Sequence, residues 1–457
     1  MTEFATLDLA PELARAAGTL GFATLTDVQA QALPPILAGR DVIAQAMTGS
    51  GKTAAFGFGL LQRVDPTTVG IQALVLCPTR ELADQVSKDL RRFAAFLPNV
   101  KLLTLCGGIP LRPQLASLAH PPHVVVGTPG RILELLEKDA LALDGVRVVV
   151  LDEADRMLDM GFEDDIRAIL KRAPAARQTL LFSATYPEEI RALSRGFQRD
   201  PLEVTVQSTL GEDALEQWFH EVPADRRFEA LATLLARETA ESAVVFCNTR
   251  KDTQDVADAL WKRGFSALAL HGDLEQRERD EVLVRFANRS CRVLVATDVA
   301  ARGLDIKDLP LVVSYELPTD PDVHVHRIGR TARAGGKGKV LNLVAPAEVA
   351  RTVAIEARQQ APVRWTGLAL KAGARAVHPA PWTTLAVDAG RSDKLRPGDL
   401  LGALTGVAGL PATAVGKIDV FATRTYVALR REDADRALEK LRAGGIKGRK
   451  FRVRKIG

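Results

Sequence analysis

The chain has 457 residues, 47% hydrophobic and 26% charged, which is too long for one ordinary core and excludes a disordered, collagen-like or disulfide-stapled protein. No run of about 18 apolar residues is present to span a membrane, and Met1-Thr2-Glu3-Phe4 lacks the basic-then-apolar pattern of a secretory signal, so a cytoplasmic protein is expected. Charge is unevenly spread: residues 380–457 hold 16 Lys+Arg against 8 Asp+Glu, a net of +8 within a total of +5, and that asymmetry points to a polyanion partner for the C-terminal end.

Residues 1–207 alternate short apolar runs with helical stretches: Asp41–Ala46, Ala73–Cys77, Val124–Val126, Val146–Leu151 and Thr179–Phe182. Runs that are apolar almost throughout suit strands covered on both faces, and strand–helix alternation implies a parallel sheet. The polar stretch Thr205–Asp213 reads as a linker. A second series, Ala243–Cys247, Ala267–Leu270, Arg292–Ala296, Leu311–Ser314 and Lys339–Val344, gives a second α/β domain over 216–350. Residues 351–381, with Pro362, Pro379 and Pro381, read as a connector. Residues 382–457 then follow the order strand, helix, strand, strand, helix, strand, which suits a small RRM-like α+β domain. The scattered cysteines Cys77, Cys106, Cys247 and Cys291 form no C-x-x-C pair and are expected to be reduced and buried.

Two segments at strand ends carry the chemistry. Ala46-Met47-Thr48-Gly49-Ser50-Gly51-Lys52-Thr53 follows a strand and opens a helix. Its glycines let backbone N–H groups close around phosphate oxygens, Lys52 adds a point charge and Thr53 an oxygen for Mg²⁺. A Gly-rich turn can be merely structural, but this placement favours phosphate binding. Asp152-Glu153-Ala154-Asp155 ends another strand; adjacent carboxylates beside a phosphate site call for a cation. Asp152 is the Mg²⁺ partner, and Glu153 is placed to orient and deprotonate a water. By itself such a segment is as readily a solvated acidic turn.

With these segments in place, residues 4–345 resemble the DEAD-box helicase family. The resemblance implies two tandem RecA-like parallel-sheet domains and an ATP-dependent RNA helicase that separates short duplexes locally. Gly21-Phe22-Ala23-Thr24-Leu25-Thr26-Asp27-Val28-Gln29 resembles the adenine-reading segment, with Phe4 its upstream aromatic and Leu25 where proline is usual. A Gln29 amide offers one donor and one acceptor to the base edge. Ser183-Ala184-Thr185 matches the segment that bonds Asp155 and, with His326, couples hydrolysis to RNA. In His326-Arg327-Ile328-Gly329-Arg330-Thr331-Ala332-Arg333, the resemblance makes Arg330 and Arg333 arginine fingers, and their spacing would place them on one face of a helical turn. Ala332 replaces the commoner glycine. Asp298 to Asp305 resembles the segment whose Gly303 and Asp305 approach the ribose. His324 matches nothing and reads as structural.

Helix N-termini bearing hydroxyls and arginine suit RNA phosphates. Pro78, Thr79 and Arg80, Gly108, and Thr128, Pro129, Gly130 and Arg131 are the expected track in the first domain, with Thr249, Gln276, Arg279 and Thr297 in the second. Any one of these could be a simple helix cap; their order along the chain is the family's. The C-terminal segment resembles the RNA-binding domain of the DbpA group of bacterial DEAD-box enzymes in Arg396–Leu404, Gly416–Val420 and Ile446–Arg449. This implies a hairpin of 23S ribosomal RNA as partner, a place in large-subunit assembly, and contacts through Lys417, Arg424, Lys447 and Arg449. Its sheet offers only Tyr426 for stacking, so RNA could use either the sheet face or the basic loops. A monomer using ATP and Mg²⁺ is expected. The alternatives are a DNA translocase on the same fold, disfavoured by the Gln29 segment, and an ATP-locked RNA clamp, disfavoured by an intact Glu153, Arg330 and Arg333.

Overall fold

The protein, seen in a computed structural model, is described over residues 3–47, 49–206, 215–238, 240–301, 309–331, 338–368, 377 and 379–456. These residues form two compact units, one reaching Val206 and the other running from Leu215 onward. Most of the expected linker over 205–213 lies outside them.

The first unit is built on strands β1 (Val42–Gln45), β2 (Ala73–Leu76), β3 (Leu102–Leu105), β4 (Val124–Gly127), β5 (Val148–Asp152), β6 (Gln178–Ser183) and β7 (Leu202–Thr205). They form one seven-stranded sheet in the order β3-β4-β2-β5-β6-β1-β7, and every pairing is parallel. Alternate residues feed opposite cores: Val148 and Val150 join the cluster around Phe56, Phe58 and Leu90, while Val149 and Leu151 join the one around Ile132, Ile166 and Ile169. Helices cover both faces, which is why the inner strands are apolar at every position.

The second unit carries β8 (Leu215–Glu221), β9 (Ala243–Cys247), β10 (Ala267–Leu270), β11 (Val293–Thr297), β12 (Leu311–Ser314) and β13 (Gly338–Val344), ordered β10-β11-β9-β12-β13-β8 and again all parallel. Strands β3, β7 and β8 lack a counterpart among the sequence expectations. Each lies at the edge of its sheet and is partly exposed, so it does not show the continuous apolar run of an inner strand.

The segment expected to be a connector from residue 351 begins as ordered structure. The helix Val349–Gln359 buries Ile355 against Phe219, Leu317 and Val344. Trp365 then pairs with Phe219 at the sheet edge, through Phe219 N–H to Arg364 O and Thr366 N–H to Phe219 O. Single apolar residues spaced through a polar stretch were enough to dock it.

The C-terminal domain has β14 (Trp382–Val387), β15 (Val415–Val420), β16 (Thr425–Arg430) and β17 (Val453–Ile456) in the antiparallel order β15-β16-β14-β17. Its helices Pro397–Gly402 and Ala434–Gly444 cover one face through Leu385, Val387, Val427, Leu429 and Val453. The other face packs on the second domain's helix Gln276–Ala287, where Ala386, Tyr426 and Ile456 enclose Val284. Ser290 and Thr384 share a buried hydroxyl hydrogen bond of 2.7 Å, and Arg454 pairs with Glu281 at 2.7 Å. All four cysteines are buried and free, and burial pushes the Cys106 and Cys291 thiols up to about 12.

Candidate functional site

In the first sheet the polar segments gather at the C-terminal strand ends, where ligands bind in open parallel sheets, and the strand order divides them in two. β1, β6 and β5, neighbours in the sheet, end in the Gly-rich loop, Ser183–Thr185 and Asp152–Asp155. β2, β4 and β3 end in Pro78–Arg80, Thr128–Arg131 and Gly107–Gly108. One half of the edge therefore holds the nucleotide candidates and the other the RNA candidates.

Gly49 and Gly51 have φ of 90° and 99°, a left-handed backbone that glycine adopts without strain. At Gly51 an added Cβ would lie 2.5 Å from Gln29 Nε2 and 2.8 Å from Thr26 Oγ1. The helix Lys52–Gln62 starts directly after. Lys52 is 5% exposed and its Nζ has no hydrogen-bond partner among the described residues; neither has Asp152 Oδ1. Burial pushes the Asp152 carboxyl up to about 7, partly offset by the Lys52 charge. A buried cation and a buried carboxylate oxygen without partners fit a phosphate with its divalent metal. Thr53 is half-buried on the first turn of that helix. Thr48 lies outside the described residues.

Glu153 sits in a left-handed conformation at φ 53° and ψ 54°, which for a non-glycine residue is strain retained by its surroundings. Its carboxylate is buried and paired with Arg156 at 3.4 Å, so it is held in one place. Asp155 accepts from the N–H groups of Ala184 and Thr185 and from Thr185 Oγ1, while its own N–H donates to Ser183 Oγ. The β5 and β6 ends are thereby fastened together, uniting three of the expected coupling residues. The fourth, His326, is half-buried near the end of the helix Pro321–Ile328 in the second unit.

Gln29 is 2% exposed. Its Oε1 accepts from Thr26 N–H at 3.0 Å and its Nε2 donates to Gly51 O at 3.2 Å. One amide hydrogen and one lone pair remain for a base, and the residue also ties its helix to the phosphate loop. Phe4 departs from expectation: it is 3% exposed, wedged against Phe22 and Phe58. Its large apolar ring is better buried than presented to a ligand, so it supports Phe22, which is half-buried, from beneath.

Along the RNA half, Thr79 caps the helix Arg80–Phe93 by accepting from Leu82 N–H, below the buried Pro78. Thr128 Oγ1 accepts from Gly107 N–H, and Arg131 donates to Ile109 O beside Glu134. These bonds fix the loop bearing Gly108, which is exposed with a φ of 73°. Pro129 is buried and Gly130 exposed. In the second sheet the same division recurs: Thr249, Thr297 and the pair Gln276 and Arg279 follow β9, β11 and β10, which are adjacent. Thr249 caps the helix Arg250–Lys262, and Thr297 Oγ1 accepts from Ala300 N–H.

The arginine segment differs from expectation. Its helix stops at Ile328, so Arg330 lies beyond it and is not on a helical turn. Gly329 ends the helix, and Thr331 Oγ1 and Arg330 O instead bond Leu309. Arg330 is 4% exposed; Arg333, Gly303 and Asp305 lie outside the described residues. Arg327, grouped in the sequence with its cationic neighbours, has a distinct position. It is 1% exposed and donates to both Asp298 oxygens, Asn248 Oδ1 and Glu316 O. It thus fastens the segments that carry Thr249 and Thr297. Asp298 was visible in its segment, but nothing in the spacing paired the two. His324 is fully buried, held neutral by burial, and bonds Gln217, in keeping with a structural residue.

In the C-terminal domain, Tyr426 is buried against the second domain and Arg424 pairs with Asp388 beside it. Of the two surfaces left open for RNA, the sheet face is covered at Tyr426, and Arg424 is half-buried beside it. Lys417 is exposed and pairs with Asp419. Lys447 and Arg449 lie on exposed loops, next to Asp399 and Asp393.

A family model described as DEAD/DEAH box helicase matches residues 26–193, one described as helicase conserved C-terminal domain matches 226–335, and one described as DbpA RNA binding domain matches 384–455. ATP-dependent RNA helicase DbpA of Escherichia coli (strain K12) is 54% identical over 455 residues, covering 99% of each chain. The DEAD-box ATP-dependent RNA helicase CshA of Geobacillus kaustophilus is 44% identical over 78% of this chain and 76% of its own. Among solved structures, S. cerevisiae Dbp5 bound to RNA and ADP BeF3 superimposes with a TM-score of 0.72 at 31% identity, over 81% of this chain and 96% of that one. The chain belongs to the DEAD-box RNA helicases, and within them to the DbpA type. It is an ATP-hydrolysing enzyme that binds RNA. No helix among the described residues is long and apolar enough to cross a membrane.

Proposed function

We propose that this helicase acts on 23S ribosomal RNA during assembly of the large ribosomal subunit, as a cytoplasmic monomer, and that the C-terminal domain selects the target by gripping a hairpin with its basic loops. One observation carries the choice of surface. The sheet face is occupied by the second domain, whereas Arg391, Lys394, Arg396, Lys447, Arg449 and Lys450 are exposed on neighbouring loops, which are joined by Arg449 donating to Asp393 O. The +8 charge of residues 380–457 supports the same reading.

In the first domain, Lys52 holds the terminal phosphates of ATP, and Thr53 and Asp152 hold Mg²⁺. The metal would supply charge neutralisation at the phosphates. Glu153, fixed by Arg156, orients the water and takes its proton. Gln29 and Phe22 select adenine, while Arg330 and Arg333 offset charge on the transferred phosphoryl group. Gly303 and Asp305 are assigned to the ribose by their place in the family's segment. Contacts along the RNA track reach the backbone and leave it tolerant of sequence.

The test is to replace Lys447, Arg449 and Lys450 together by glutamine in the full chain. ATPase stimulation by the ribosomal hairpin should fall to the level given by unrelated RNA, with poly(U) stimulation unchanged. The log-affinity versus log-salt slope should flatten by roughly 0.7–0.9 per lost phosphate contact. An undiminished preference for the hairpin would place the selecting surface elsewhere.

A further inference from the structure

The helix Gln276–Ala287 has two occupied sides. At about 100° per residue, Glu281, Val284 and Asn288 share one side, and these meet the C-terminal domain: Glu281 pairs with Arg454, Val284 enters the cluster with Ala386, Tyr426 and Ile456, and Asn288 bonds Thr384. Arg279 lies on the far side and Gln276 on the flank, at the helix end nearest the RNA track.

The helix is held from two directions. Of its twelve residues Val284 and Phe286 are buried, and Val284 is buried by the C-terminal domain. A helix is normally fixed by an apolar stripe packed on its own core; here part of that stripe rests on the added domain.

We propose that the C-terminal domain, besides selecting a target, acts as a buttress that sets the pose of Gln276 and Arg279. The Glu281–Arg454 pair then positions the RNA track of the second domain, for any RNA, without touching it. The inference rests on reading Gln276 and Arg279 as RNA contacts.

Full-length Glu281→Arg, Arg454→Glu, the double charge swap and Arg279→Ala should be compared in ATPase assays titrated with poly(U), a probe that carries no ribosomal hairpin. Each single reversal should raise the RNA concentration for half-maximal stimulation about five-fold, leaving kcat at saturating RNA unchanged, and the double swap should restore it. Glu281→Arg is the discriminating variant, because added positive charge by itself tightens RNA binding; weakening therefore reports a displaced helix. If Arg279→Ala weakens RNA but Glu281→Arg does not, the buttress is overturned and the track stands. A double swap that fails to restore binding also overturns it. If Arg279→Ala has no effect, the track reading falls and the buttress with it.

Discussion

The strand ends of the first and second sheets both carry polar side chains out of water, and they treat them in opposite ways. At β1 and β5, Lys52 Nζ and Asp152 Oδ1 are buried without hydrogen-bond partners among the described residues, and Asp152 is pushed up to about 7. At β9, β11 and β12, Arg327 is just as buried but meets Asp298, Asn248 and Glu316 O, and Arg227 lies between Glu348 and Glu316. Buried polar groups are costly until they are bonded. The first site is therefore incomplete until a ligand of matching charge arrives, whereas the Arg327 cluster satisfies itself and uses its ion pair to hold shape. Removing a side chain should accordingly cost function in the first region and stability in the second.

The largest effect is expected at Glu153. Glu153→Gln keeps the shape and should lower RNA-stimulated phosphate release by roughly 10²–10⁴-fold, the usual range for a lost general base. ATP binding should be retained. Near-normal turnover would take the proton-accepting role away from Glu153.

Arg327→Met should act through the fold. It strands Asp298 and should lower stability by about 3 kcal/mol, as breaking a buried pair does, measured by denaturant unfolding of the second unit's transition. An unchanged midpoint would mean that the ties around Arg327 do not hold the segments it joins.

The smallest effect on stability, and the sharpest contrast, belongs to Lys52→Met. ATP binding should be lost, yet without nucleotide the midpoint should stay within about 1 kcal/mol of wild type or rise, because an apolar isostere of an unsatisfied buried charge is neutral or favourable. Asp152, with its carboxyl already raised to about 7, can take a proton when its neighbouring cation is gone. A loss as large as that from Arg327→Met would erase the distinction between the two sites.

Inner strands such as β5 and β9 were legible because both of their faces are covered and every position must be apolar. The edge strands β3, β7 and β8 were not, since a half-exposed strand has no such demand. Residues contiguous at strand ends, such as Gly49 to Thr53 and Asp152 to Asp155, were legible because backbone geometry forces them into one small volume. The expected helical turn is absent at Arg330, because Gly329 ends the helix and Arg330 and Thr331 bond Leu309 instead.

The sequence by itself determined the two parallel sheets, the phosphate loop, the paired carboxylates and the excess positive charge at the C-terminus, all of which depend on residues close together in the chain. Only the tertiary structure decided that Arg327 would be a tie, that Phe4 would lie beneath Phe22, and that the C-terminal sheet would spend its open face on the Gln276–Ala287 helix. Those outcomes join residues as far apart as Glu281 and Arg454. Each such contact depends on surfaces that exist only after both domains have folded, and an isolated glutamate or arginine in the chain carries no sign of its distant partner.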